Sequence, residues 1–408
     1  MNYTKITGGV TAAKGFLAGG VHVGVKSSNK SKKDVCIIVS TSLAAVGGVF
    51  TQNKFAAAPV EWCRQVVAGG VAKAIVANSG CANACTGALG LTNAETMADL
   101  AAVKLGAKKE QILVASTGVI GHQLPMEKIQ AGITKAAESL SESGGSQAAE
   151  AIMTTDTYAK ESALQYEYEG NIITIGGIAK GSGMIHPNMA TMFAFITTDA
   201  AIEPACLQKA VKAAADKSFN MVTVDQDTST NDTMLVLANG QAKNKAIKTE
   251  DQAYQVFVDA LTVVAIELAK MIAHDGEGAT KFLEVQVQGA KTETAARLAA
   301  KAVVSSTLVK TAFFGEDANW GRIICAVGNS EAELDPEKVD IWLESKGGKE
   351  KMMASGASLV FDEAKTAEIL KERDIKVLIN MNDGPGAATA WGCDLSYDYV
   401  KINADYRT

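Results

Sequence analysis

Glycine is the residue this chain carries in excess. Thirty-seven of its 408 residues are glycine, many in apolar surroundings such as GGIAKGSGM from Gly176. A missing side chain there lets backbone turn with positive φ or approach a neighbour closely. Short or alternating apolar runs bounded by turn residues predict strands at VCIIVST from Val35, NIITIGGIA from Asn171, LEVQVQG from Leu283, VLINMN from Val377 and YDYVKIN from Tyr397. Helical periodicity lies between them. Leu207, Ala210, Val211 and Ala214 share one face over 204–219. A longer helix is predicted over 250–273, opened by a Thr249–Gln252 capping box and stopped by Gly276 and Gly278, and a third over 293–304. Strands and helices mix without a strict βαβ rhythm, which predicts an α+β layered architecture. The best domain boundary is the Gly-rich HDGEGATKF from His274, while KSSNKSKKD near residue 30 and SESGGSQ near residue 143 read as solvated connections.

Absences prune the function classes. There is no GxGxxG, no P-loop, no GxSxG elbow and no HExxH. The four histidines, His22, His122, His186 and His274, lie in no recognisable triad setting. Seven scattered cysteines are a poor disulfide framework and suit reduced thiols; Cys81 and Cys85 form a CxxxC pair read as small buried thiols, since a structural zinc needs four ligands and no second pair follows. No metal site is therefore expected. Lys plus Arg number 39 against 45 Asp plus Glu, a net charge of −6 that offers no broad basic face to nucleic acid. The start, MNYTKITGGVTAAKGFLAGG, lacks a basic region followed by a long apolar stretch, and no apolar run reaches the roughly 18 residues a bilayer span needs. A cytoplasmic protein without membrane contact is the expectation.

Two Gly-rich segments remain. VASTGVIG from Val114 puts Thr117 and Gly118 behind an apolar run, either as a strand-ending turn or as a hydroxyl and a bare N–H facing a cavity, the kind of donors an oxyanion hole uses. KGSGMIHPNMATMFAFITTD from Lys180 leads a Gly-rich turn into Ala190 and Thr191 and then a strand-like run. Thr191 is either a β-branched strand residue or a nucleophile freed by attack of its own hydroxyl on the Ala190 carbonyl. A freed α-amine, with a typical pKa of about 7.7 to 8.0, would serve as the base that the histidines do not supply.

Those segments, together with ANSGCANACTG from Ala77, MTTDT from Met153, VDQDTSTNDT from Val224, HDGEGATKF from His274, LVKTAFFGEDANWGRI from Leu308 and WGCDLSYDYVKINADYRT from Trp391, make eight blocks in order. Across essentially the whole chain the sequence resembles the ornithine acetyltransferase family, the glutamate N-acetyltransferases of arginine biosynthesis. The resemblance implies self-cleavage between Ala190 and Thr191 into fragments 1–190 and 191–408, the second of 218 residues. It implies an α/β/β/α sandwich of the N-terminal-nucleophile type over 1–280 and a smaller α/β domain over 281–408.

The implied reaction moves acetyl from N2-acetylornithine to glutamate through an acetyl ester on Thr191. Thr117 and Gly118 match the family's oxyanion pair. Thr154, Lys180, Thr191, Glu277, Asn403 and the C-terminal Thr408 match its substrate positions, with Lys180 suited to a carboxylate and Glu277 to the ornithine ammonium. No cofactor is implied, though acetyl-CoA is a candidate second donor, and an α2β2 assembly of the two fragments is. Gln226 stands where glycine is expected, and His274 where arginine is common. Competing readings are a self-processing aminopeptidase or amidase, with water as acceptor, and a non-enzymatic small-anion binding module that would stay uncut.

Overall fold

The computed structural model describes residues 3–26, 31–186 and 192–405. Ala190, Thr191 and Thr408 lie outside the described residues, as does the 27–30 part of the Lys-dotted stretch.

The first part of the chain forms β1 (Thr4–Ile6), β2 (Phe16–Val21), β3 (Val35–Phe50), α1 (Ala58–Ala68), β4 (Val71–Cys81), α2 (Gly87–Leu105), β5 (Ile112–Val119), α3 (Met126–Glu138) and α4 (Gly145–Ile152). It continues through β6 (Lys160–Tyr168), β7 (Asn171–Lys180), β8 (Phe193–Thr198), α5 (Pro204–Lys217), β9 (Thr233–Ala238) and α6 (Gln252–His274). Its nine strands run in the order β1-β6-β7-β8-β9-β3-β4-β5, with β2 also paired to β3.

The alternation of side chains shows how this path folds into two layers. Cys36 and Ile38 of β3, Ile75 of β4 and Leu113 of β5 share an inner core with Phe193 and Phe195 of β8 and Leu235 of β9. Their sequence neighbours point the other way. Val35, Ile37, Ala74 and Ile112 pack under Met97 of α2 and Ile133 of α3, while Ala194, Ile196 and Val236 pack under Leu207 of α5 and Leu261 of α6. Strands buried on both faces, with period two, are two sheets face to face between outer helices. The architecture is an α/β/β/α sandwich. β3 joins the layers: Val35–Val39 pair with β4, the register shifts before Ala44, and Ala45–Phe50 pair with β9.

The rest of the chain forms β10 (Phe282–Ala290), α7 (Glu293–Ser305), α8 (Thr307–Phe314), α9 (Trp320–Gly328), β11 (Asp340–Ser345), β12 (Gly348–Ala354), β13 (Ala357–Ser358), α10 (Glu363–Lys371), β14 (Asp374–Asn380), β15 (Gly386–Cys393) and α11 (Tyr397–Asp405). These strands make a separate six-stranded sheet, ordered β13-β12-β11-β14-β10-β15. Leu283, Val285 and Trp391 of that sheet share one apolar cluster with Phe257 and Leu268 of α6.

Four local expectations are corrected. YDYVKIN is helix α11 rather than a strand: Ser396 Oγ accepts the Tyr399 N–H at 3.2 Å as a cap, and the helix buries no residue, so the period-two apolar pattern has no sheet to face. Asn403 accordingly sits on this helix. The long helix is capped by Asp251, whose Oδ1 accepts from Ala253 and Tyr254 at 3.1 and 3.2 Å, while Thr249 donates its hydroxyl to Asp251 instead of closing a capping box. SESGGSQ is only partly a solvated loop, because α4 starts at Gly145, and Gly144 is buried where a Cβ would lie 1.8 Å from the Ala18 carbonyl oxygen. Cys81 is buried but Cys85 is exposed, so they are not a buried pair; all seven cysteines are free thiols.

Candidate active site

β5 and β7 end, and β8 begins, at one rim of the sandwich. β5 continues through Thr117 and Gly118 to Val119, paired in parallel with Ser79 and Gly80 of β4 up to a register irregularity at Cys81, so this step is strand rather than turn. Only glycine fits at 118. Its φ is +129°, and a Cβ would stand 2.4 Å from the Gly80 carbonyl carbon. Lys180 is the last residue of β7, and its Nζ comes within 3.5 Å of Thr117 Oγ1. Thr154 follows α4, Glu277 follows α6, and Asn403 reaches in from α11 to donate to Glu277 Oε2 at 2.9 Å.

Thr117, Gly118, Thr154, Lys180, Glu277 and Asn403 thus line one cleft, together with Met184, Met192, Thr230, Asn231 and Asp232. Met192, the residue after Thr191, sits in the wall just before β8. Asn231 braces that wall by donating from Nδ2 to the Ala82 and Ser116 carbonyls, both at 2.6 Å.

The cleft holds both signs of charge. Burial pulls the Lys180 ammonium below the ordinary lysine range, opposed by the nearby carboxylates of Asp156, Asp232 and Glu277 and reinforced by Lys160. Burial would raise Asp156, but Lys160, Lys180 and the Gly181 N–H overcome it and hold its carboxyl down at about 2. His186 is driven down to about 4 by burial and by Lys301, which leaves it neutral near pH 7. His274 lies outside the cleft wall, its ring tilted against Phe282 at 5.7 Å between centroids and 3.5 Å from Asp374. Among the described residues, no group of three His, Cys, Asp or Glu side chains is placed to hold a metal ion.

Sequence reasoning did not single out Asp156, Lys160, Asp275, Asn231 or Asp232. Four of them lie inside the quoted blocks MTTDT, VDQDTSTNDT and HDGEGATKF, which was the available signal; Lys160 had none. Gln226 takes φ +68°, a left-handed conformation that glycine adopts without cost, which explains why glycine is the expected residue there.

The ArgJ family profile matches residues 17–408. The chain belongs to the ArgJ family. Among its relatives, the arginine biosynthesis bifunctional protein ArgJ of Symbiobacterium thermophilum is 54% identical over 403 residues, 99% of each chain. The ArgJ protein of the same description from Bacillus subtilis is 49% identical over 405 residues, covering 99% of this chain and 98% of its own. The crystal structure of arginine biosynthesis bifunctional protein ArgJ from Bacillus halodurans superposes with a TM-score of 0.50 at 46% identity, covering 53% of this chain and 100% of that one. The resemblance carried by the eight blocks is thereby borne out. No helix among the described residues is long and apolar enough to cross a membrane.

Proposed function

We propose that this ArgJ protein cuts itself before Thr191 and transfers acetyl from N2-acetylornithine to glutamate through an ester on the Thr191 hydroxyl. Thr191 Oγ attacks the acetyl carbonyl and its own amine takes the proton. The C–N bond then breaks, and that proton leaves with ornithine. The glutamate amine next attacks the ester carbonyl and gives a proton to the Thr191 amine, the C–O bond breaks, and that proton passes to Oγ, releasing N-acetylglutamate and restoring Thr191. Two acyl transfers replace one difficult amide exchange.

The observation that carries this reading is the convergence of Thr117, Gly118, Lys180 and Glu277 on one cleft beside Met192. Thr117 hydroxyl and Gly118 N–H suit the oxyanion of each tetrahedral intermediate. Lys180 suits the α-carboxylate common to both substrates, and Glu277, held by Asn403, suits the ammonium only ornithine carries on its side chain. Thr154, in the same cleft, suits a further substrate contact, and Thr408, outside the described residues, is the remaining candidate. The cut is supported by the Bacillus halodurans chain, whose whole length spans 53% of these 408 residues, about 216, against 218 for the fragment starting at Thr191. The relatives' description as bifunctional supports acetyl-CoA as a second acetyl donor, and the two fragments assemble as α2β2.

One experiment tests the reading. Acetylornithine alone should add a single acetyl group to the 218-residue fragment, and glutamate should remove it as N-acetylglutamate. Thr191→Ala should stay one chain and do neither. Acetate release without transfer would make the protein a hydrolase, and transfer by an uncut chain would overturn the mechanism. Repeating the assay with acetyl-CoA as donor tests the second activity, and light scattering the assembly.

A further inference from the structure

We infer that Lys160 is a positioning residue that holds the three backbone segments carrying Thr154, Lys180 and Glu277 in register, an inference that rests on the acetyl-transfer reading of those residues. Lys160 opens β6 and is 0% exposed. Its Nζ donates to Asp156 Oδ1 at 2.7 Å and to Asp275 Oδ2 at 2.6 Å, and both carboxylates are also buried. Burying an ammonium with two carboxylates is often no more stabilising than a packed apolar trio would be. The cluster therefore calls for another account, and its remaining hydrogen bonds supply one.

Asp156 Oδ2 accepts the Thr154 N–H at 2.9 Å, and its Oδ1 accepts the N–H of Gly181, next to Lys180, at 2.7 Å. Asp275, two residues before Glu277, accepts the Thr157 N–H at 3.0 Å. Its carbonyl takes the Ser182 hydroxyl at 2.6 Å, and the Ser182 carbonyl in turn accepts the Glu277 N–H at 2.9 Å. Three segments distant in sequence, those following α4, β7 and α6, are thus tied through two carboxylates to one ammonium. Without Lys160 the paired carboxylates would repel, and Lys180 already acts electrostatically on Asp156. Drawn toward Asp156, Lys180 would leave the substrate carboxylate unpartnered.

Lys160→Met tests this with the fraction of cleaved chain measured by mass and rates normalised to it. The expected result is a rise in KM for both acetylornithine and glutamate of about tenfold to a hundredfold, the scale of a misplaced substrate contact. Met97→Ala, a core truncation on α2 that does not line the cleft, is the control: it should lower the melting temperature and leave KM unchanged. Should Lys160→Met not fold, Lys160→Met combined with Asp275→Asn removes one stranded carboxylate and carries the same expectation. Wild-type KM values in either folded variant, or failure of both to fold, would reassign Lys160 to the scaffold and overturn the inference. A wild-type protein that does not turn over acetylornithine would remove the reading beneath it instead.

Discussion

At the scale of single residues the cleft depends on one lysine keeping a charge that its surroundings make costly. On the proposed reading Lys180 would bind a carboxylate only as an ammonium, and burial moves its titration below the ordinary lysine value of about 10.4. The sign follows directly: as pH rises through that lowered value the ammonium is lost, and KM for both substrates should climb while kcat holds. On the acid side, kcat should rise as the proposed Thr191 amine loses its proton near about pH 7 to 8. The pH dependence of kcat and KM, measured separately, checks both limbs; a KM flat to about pH 10.4 would show that Lys180 does not contact substrate. How much of this was legible differs by residue. Lys180, Glu277, Thr117 and Gly118 stood in quoted blocks with a chemistry attached, but the partners that set their charge and position are remote in sequence. Lys160 pairs with Asp275 across 115 residues, and no local pattern reports such a contact.

At the scale of elements, α11 shows why a period-two reading fails when no sheet is there to receive it. Tyr397 is 83% exposed, and the helix is held by polar ties at its start rather than by a buried face. Ser396 supplies two of them, accepting the Tyr399 N–H and donating to the Gly278 carbonyl at 2.6 Å, beside Glu277. Asn403 then stands one turn further along, within reach of Glu277 Oε2. Ser396→Ala removes a cap worth about 1 kcal/mol, a factor of about five in the docking equilibrium constant of the helix. The expected outcome is faster amide exchange in α11 and a KM for acetylornithine raised by up to about fivefold. The melting temperature should barely move, because α11 buries nothing in the core. Faster exchange with an unchanged KM would mean that Asn403 plays no part in binding. The long helix carries the same lesson: its existence was legible from apolar spacing, whereas its cap is Asp251, whose carboxylate accepts the Ala253 and Tyr254 N–H groups and the Thr249 hydroxyl, so Thr249 supports the cap from outside the helix.

At the scale of the whole molecule, mixed layering was legible from the alternation of runs, but strand order was not, because it is set by contacts between distant segments. The order β7-β8-β9-β3 would make the proposed cut before Thr191 tolerable. β8 and β9 would belong to the C-terminal fragment, yet each is flanked by a strand of the N-terminal one. β8 pairs with β7 over six residues, from Phe193 opposite Lys180 to Thr198 opposite Ile175, and β9 pairs with β3 over another six. The inner core is shared too, with Phe193 and Leu235 packed against Ile38 and Ile75. Parting the fragments would strip two ladders of hydrogen bonds, each worth about 1 kcal/mol net, and expose both faces of the central strands. The cleaved protein should therefore behave as one folded body: the fragments of 190 and 218 residues co-elute without denaturant, separate only under denaturing chromatography, and melt in a single transition. Fragments that part under native conditions would mean that the cut lies elsewhere, since no cut before Thr191 can divide this sheet without breaking both ladders.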